Sequence, residues 1–322
     1  MRTYVLRRLL QIVPLLLGIS ALTFLLLQLA PGDFLNTMAE NPAISAETLE
    51  SMRHRFGLDR PWPVQYLLYL KNVFLRLDFG ESFARHQPVW VVLREGLGNT
   101  LLLASAAALV TWGLAIPLGV WAAVRQYSWV DKALTVFGVI GLSVPEVLSG
   151  LLLLMLAART GWFPVGGMRS LDWDDLDTTG KAIDLLHHLT LPAIVVGLTP
   201  LASRMRQMRG NLLDVLRLDF VTTARAKGLD ENVVVFKHAL RNALNPLITL
   251  FGYTLGALVS GSLIAEIIFS WPGLGRITFD ALLTQDQYLV LGSVMMASLV
   301  LILGNLVADF LLAIADPRIA YD

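Results

Sequence analysis

DFVTTARAKGLDENVVVFKHALRNALNP, residues Asp219 to Pro246, reads as a charged helix-turn-helix set between long apolar runs. Asp219 stands where an N-cap is expected for a short helix through Lys227, and Gly228 stands where a left-handed residue would end it. Asp230 is placed to cap a second helix, whose apolar residues Val233, Phe236, Leu240 and Leu244 recur at helical spacing until Pro246 stops the pattern. The first helix is little over two turns long and carries the small residues Thr222, Thr223, Ala224 and Ala226 around Arg225 and Lys227. That shape suits insertion into a groove of another protein. A solvated basic loop beside anionic lipid is the plainer alternative, and spacing alone leaves both open.

Outward from this block the chain is a membrane protein by composition: 55% of its residues are hydrophobic and only 16% are charged, well outside the range of soluble domains. A span needs about 20 mostly apolar residues in a helix, because no water in the hydrocarbon core can satisfy backbone groups. Six segments qualify: Leu9 to Ala30, Leu97 to Val124, Ala133 to Ala158, Leu185 to Met205, Leu247 to Phe269 and Tyr288 to Ala315. The fourth carries His187, His188, Pro192 and Pro200 and is the weakest. Six passes put both termini on one side. That side holds fourteen Lys and Arg residues, eight of them between Arg204 and Arg241, against eleven on the other. Seven of those eleven fall in the long 31–96 segment, which weighs little in the positive-inside rule, so both termini are expected in the cytoplasm. Acidic residues agree, with Asp172, Asp174, Asp175, Asp177 and Asp184 in one outer loop. The first apolar run is too long for a signal peptide and is expected to stay as an anchor. The chain contains no cysteine, so its outer segments are expected to hold without disulfides.

The organisation expected is an anchor helix over 1–30, an extracytoplasmic helical segment over 31–96 and a core over 97–322 with its cytoplasmic region at 206–246. Within the outer segment, Ser45 to Phe56 reads as a helix capped by Ser45. Val64, Leu67, Leu68, Leu70, Val73, Phe74 and Leu77 then form the apolar face of an amphipathic helix, which could pack on its own protein or lie on lipid.

Ionisable residues inside spans are candidates for function. Glu146 follows Pro145, where a kink is expected; it is read either as a pathway-lining carboxylate or as a residue paired at a helix interface. Glu266 is expected to hold the FSWPGLGR turn by hydrogen bonds. Asp309 is expected to pair with Asn305 or a nearby Arg, and Met295 and Met296 to pack. Adjacent His187 and His188 point about 100° apart on a helix and have no third ligand, so no metal site is expected and they are read as anchors at the outer boundary. No H-E-x-x-H pair and no G-x-x-x-x-G-K-[ST] loop occurs, which argues against an intramembrane metalloprotease and places any ATP hydrolysis on another polypeptide. A self-sufficient secondary transporter would show inverted repeats, and none is evident.

The order TTARAKGL, then HALRNALNP, resembles the cytoplasmic coupling motif of inner-membrane permeases of binding-protein-dependent ABC importers, in the dipeptide, oligopeptide and nickel branch. MRTYVLRRLLQIVPLLLGISALTFLLLQLAPGD at the start, GLDRPWPVQYLLYL in the outer segment, FPVGG, AEIIFSWPGLGR and ADPRIAY are similar to the same branch, in the same order. Thr222, Thr223 and Ala224 stand where the wider superfamily has Glu-Ala-Ala. Gln285, Asp286, Gln287 and Tyr288 replace a common Arg-Asp-Tyr-Pro, which implies altered contacts in that outer loop.

The resemblance implies an all-α integral membrane protein with six transmembrane helices in the type I ABC importer permease fold. It implies a non-catalytic subunit whose residues Asp219, Thr222, Thr223, Ala224, Arg225, Ala226, Lys227, Gly228, Leu229 and Asp230 couple to ATPase subunits, with Pro145, Glu146 and Asn305 as candidate pathway residues. The implied partners are a second homologous permease, two cytoplasmic ATPase subunits or domains, an extracytoplasmic substrate-binding protein and the lipid bilayer, with no nucleic acid. This chain is expected to hold no cofactor and no metal; ATP and Mg belong to the ATPase subunits. The location implied is a prokaryotic inner membrane, and the substrate a di- or oligopeptide. Nickel chelates, glutathione-like compounds and sugars remain as alternatives.

Overall fold

The computed structural model describes residues 2–30, 34–39, 45–248, 250–251 and 262–315. Its elements are α1 (Arg2–Leu29), α2 (Phe34–Ala39), α3 (Ala46–Arg55), α4 (Trp62–Arg76), β1 (Glu81–Ser82), β2 (Gln87–Pro88), α5 (Val89–Val124), α6 (Trp129–Ser143), α7 (Glu146–Thr160), α8 (Thr178–Val215), α9 (Asp219–Ala226), a π-helix (Val233–Ala239), α10 (Leu240–Ala243), α11 (Leu263–Ile268), α12 (Leu274–Leu283) and α13 (Gln287–Ala315). The strands form a small antiparallel hairpin that pairs Glu81 with Pro88.

Four of the described helices are long and apolar enough to cross a membrane: Leu10–Leu29, Val89–Val124, Thr178–Val215 and Gln287–Val307. The expected third span, Ala133 to Ala158, is not one kinked helix. It is the pair α6 and α7, bent by 106°, and counting that pair as one span gives five. Pro145 has no N–H to donate and pushes the residue before it out of the helical region. Accordingly Val144 is extended (φ −81°, ψ 121°) and the helix restarts at Glu146. Of the fifth expected span, Leu247 to Phe269, residues 249 and 252–261 lie outside the described residues, and its last part is the short helix α11. The fourth is longer than expected: α8 has 38 residues, about 57 Å at the helical rise, and continues through Pro192 and Pro200.

The chain divides into two compact units. One comprises 1–100 and 272–302, the other 101–271 and 303–321. In the first, α4 packs through its tyrosines. The hydroxyl of Tyr66 donates to Leu17 O at 3.1 Å and lies 3.0 Å from Ser20 Oγ, while Tyr69 donates to Met295 Sδ at 3.6 Å. The aliphatic face read from the sequence is not the buried one: Val73 is covered, but Val64, Leu67, Phe74 and Leu77 are exposed. Tyr69 is buried and Tyr66 half-buried on the face that carries Val73, where each hydroxyl finds an acceptor. Ser45 caps α3 as expected, accepting from Thr48 N–H at 3.2 Å, and Met295 and Met296 are buried. Asp286, in the segment that departs from the branch, holds the β1–β2 hairpin. Its carboxylate accepts from Ser82 Oγ at 2.6 Å, Ala84 N–H at 3.0 Å and Leu289 N–H at 3.2 Å.

In the second unit α8 is the axis. Gly138 and Gly141 of α6 are buried against it, where an added Cβ would lie 3.0 Å from Met205 Cε and from Ala202 Cβ respectively. Thr111 of α5 donates to Gly197 O at 3.1 Å. The two adjacent histidines differ: His187 Nε2 lies 2.7 Å from Trp162 O, whereas His188 is buried beside Asp184. Glu266 is fully buried; its Oε1 accepts from Ser262 Oγ at 2.9 Å, and its carbonyl accepts from Trp271 N–H at the FSWPGLGR turn. Asp309 is buried.

Candidate functional site

Helix α9 follows the end of α8 after Leu216, Arg217 and Leu218. Asp219 is its first residue and not its cap: Leu218 holds the cap position and makes no side-chain cap, so Asp219 acts through its charge in the first turn. Thr223 Oγ1 donates back to Asp219 O at 2.8 Å. At the other end Gly228 adopts φ 77°, and a Cβ added there would meet nothing within 4 Å, so the backbone turn and not crowding requires glycine. Asp230 receives Asn232 N–H at 2.8 Å and opens the next helix as expected.

Only two residues of this short helix face inward. Val221 is fully buried and Ala224 nearly so. Asp219, Thr222, Thr223, Arg225, Ala226, Lys227, Gly228, Leu229 and Asp230 are all exposed. Ala224 is therefore a packing residue of the site and not part of its outward surface. Phe220, Leu229, Val233 and Phe236 add apolar area around it.

The second helix differs from its sequence reading. Val233 and Phe236, expected in the buried face, are exposed; Val234, Val235, Ala239, Ala243 and Leu247 are buried instead. The backbone here is a π-helix, with Leu240 N–H bonding to Val235 O. Its wider i→i+5 turn rotates each successive residue less, so the buried stripe steps by four. Pro246 does not simply end this pattern. Leu247 and Ile248 N–H both bond to Leu244 O, so Pro246 lies in a fresh first turn, where its missing N–H costs little.

A fork closes the turn. Arg225 donates from Nε to Glu231 Oε2 at 3.0 Å and from Nη2 to Oε1 at 2.6 Å. Glu231 carries no signal of this role in the sequence, because a six-residue separation across a glycine turn has no helical periodicity. The guanidinium holds the Glu231 carboxyl below its ordinary value of 4.5. The pair therefore contributes stability above that ordinary value and loses it as pH falls through the lower folded value. Both side chains are more than a third exposed, which limits the contribution to less than about 1 kcal/mol. Protection of the 219–232 segment should be greater in wild type than in Glu231→Gln at neutral pH, and equal once wild-type Glu231 is protonated. A difference that persists unchanged in acid would contradict this assignment.

The candidate pathway residues are less gathered. Pro145 and Glu146 sit at the bend between α6 and α7; Asn305 is half-buried on α13. No hydrogen bond joins Glu146 to Asn305 among the described residues. Glu146 lies against the backbone N–H of Ala265, in a helix whose own cap residue, Ser262, makes no side-chain cap. Its Oε1 is buried without a hydrogen-bond partner.

Known proteins share this arrangement of sequence and fold. The profile described as "Binding-protein-dependent transport system inner membrane component" matches residues 115–321, and the N-terminal profile of such membrane components matches residues 1–104. The chain is 42% identical to the oligopeptide transport system permease protein AppB of Bacillus subtilis, over all of both chains. It is 38% identical to the di/tripeptide transport system permease protein DppB of Pseudomonas aeruginosa and to the dipeptide transport system permease protein DppB of Escherichia coli K12, in each case over the whole chain and 99% of the relative. Among solved structures, a chain of the inward-facing MetNI methionine ABC transporter aligns with a TM-score of 0.50 and 18% identity, covering 69% of this chain and 97% of that one. That likeness concerns the fold alone.

Proposed function

Because this chain belongs to the family of binding-protein-dependent transport system inner membrane components, we propose that it is a permease subunit of an ATP-driven importer for di- or oligopeptides. Full-length likeness to permeases named for oligopeptides, di/tripeptides and dipeptides supports the substrate class. In this reading a soluble binding protein delivers the peptide at the outer face of a prokaryotic inner membrane, and a second, homologous permease completes the pathway. ATP and Mg are bound by two ATPase subunits or domains on the cytoplasmic side, and the permease itself catalyses no reaction.

The observation that carries the coupling role is the exposed run Asp219–Asp230, backed by buried Val221 and Ala224 and closed by the Arg225–Glu231 fork. An ATPase cleft gripping that run would move it as a block, because packed elements shift between discrete arrangements. Helix α8 is continuous to within a few residues of the run and would carry the shift into the bilayer. Pro145, Glu146 and Asn305 are assigned to the pathway that responds. The unpartnered oxygen of Glu146 supports its part, since a buried acceptor gains most from a donor that arrives with the substrate.

A chain without cysteine makes the test direct. Ala226→Cys, on the exposed face, should crosslink to the nucleotide-hydrolysing subunit in intact cells, whereas Ala224→Cys should not. Absence of any crosslink from the Ala226 variant, in cells that take up labelled peptide, would sink the coupling assignment. Uptake of a nickel chelate or sugar in place of peptide would overturn the substrate class.

A further inference from the structure

The turn between α5 and α6 is locked to α8 by an ion pair. Arg209 donates from Nε to Asp131 Oδ1 at 2.6 Å and from Nη2 to Oδ2 at 2.8 Å. The Asp131 side chain is 5% exposed. Tyr127, itself left-handed at φ 66°, donates its N–H to Asp131 Oδ2 at 2.9 Å, and Ser128 Oγ accepts Asp131 N–H at 3.3 Å. Both carboxylate oxygens are therefore committed, in a planar fork that fixes angle as well as distance.

Its place in the chain gives the pair a direction of action. Arg209 stands six residues before the end of α8, about 9 Å by the helical rise, and α9 begins shortly beyond. Along α6 from Asp131, Gly138 and Gly141 keep that helix in close contact with α8 at Met205 and Ala202, and α6 then ends at the 106° bend carrying Pro145 and Glu146. Fork and glycine contacts together make α6 and the lower half of α8 one body. Resting on the importer reading above, we propose that Asp131 and Arg209 are positioning residues of the transport cycle: they oblige α6, and with it the bend, to follow α8 when the coupling segment is displaced. A hydrophobic contact at that point would let the helices slide, whereas a bidentate pair loses two charge-assisted bonds for any slip.

The test uses the reconstituted complex with its binding protein and ATPase subunits, and reads peptide uptake and ATP hydrolysis separately. Asp131→Asn keeps the shape and removes the charge. We expect assembly to persist, ATP hydrolysis to stay within about twofold and uptake to fall by about tenfold or more, the scale of a coupling free energy. The reversed pair, D131R with R209D, should recover part of that uptake, while R209D alone should not. Unchanged uptake in D131N overturns the proposal. So does parallel loss of assembly, hydrolysis and uptake without recovery in the reversed pair, which would mark the fork as structural only. If the wild-type complex imports no peptide at all, the importer reading fails instead, and the two failures are distinct.

Discussion

Replacing Asp286 by alanine is expected to lower the stability of the unit formed by 1–100 and 272–302 by about 3–5 kcal/mol, since three hydrogen bonds to one buried carboxylate are removed together. Asp286 is fully buried, as is Ser82. Without the carboxylate, Ser82 Oγ, Ala84 N–H and Leu289 N–H are left as donors in a space that water does not freely reach. The alanine cannot replace any of them, and the hairpin Glu81–Pro88 is then held to the start of α13 by ring contacts such as Phe83 with Tyr288 at 5.2 Å. Asp286→Asn keeps one acceptor oxygen and should cost about half as much. Unfolding of the purified protein in detergent, together with amide exchange at 82–84, measures both. An alanine variant within about 1 kcal/mol of wild type would show that the three donors find other acceptors.

A methyl group on Gly119 is expected to be nearly as damaging. The Cβ would fall 2.6 Å from Met208 Cβ and 2.7 Å from the carbonyl oxygen of Met205. A side chain can turn away, but a helical carbonyl cannot, so α5 or α8 must shift. Overpacking of this kind costs about 2–3 kcal/mol for alanine, and a leucine should not be accommodated. Gly113, on the same helix, has nothing within 4 Å; there alanine should be neutral or stabilising by up to about 1 kcal/mol. The contrast between two glycines six residues apart on one helix is the measurement. Equal tolerance at both positions would contradict the close approach of α5 to α8.

Legibility in the sequence varies with the range of the interactions. Ser45 as a cap, Gly228 as a left-handed turn and Asp230 as the opener of the next helix are readable because each acts on backbone within three residues of itself. The π-helix at Val233–Ala239 is not readable, since the apolar run VVVF offers both stripes and only the packing of Val234, Val235 and Ala239 selects one. Asp131 and Arg209 lie 78 positions apart. Their sole local sign is Ser128 with Asp131 three residues later, a capping-box spacing that says nothing of a partner on α8. Ala224 shares the TTARAKGL segment with its neighbours, and only burial separates it from Ala226.

The amino-acid sequence by itself determined that the chain is helical and crosses a membrane, and where its charged helix-turn-helix block lies along the chain, because hydropathy, proline and glycine act through solvent and local backbone. Tertiary structure alone decided that the kink expected at Pro145 is a 106° break between two helices and that α4 buries Tyr69 with Val73 while Val64, Leu67, Phe74 and Leu77 stay exposed. It also decided that Asp131, Asp286 and Glu231 have the partners they do. A side chain's worth is set by what faces it, and residues brought together from distant parts of a chain leave no periodic trace in its order.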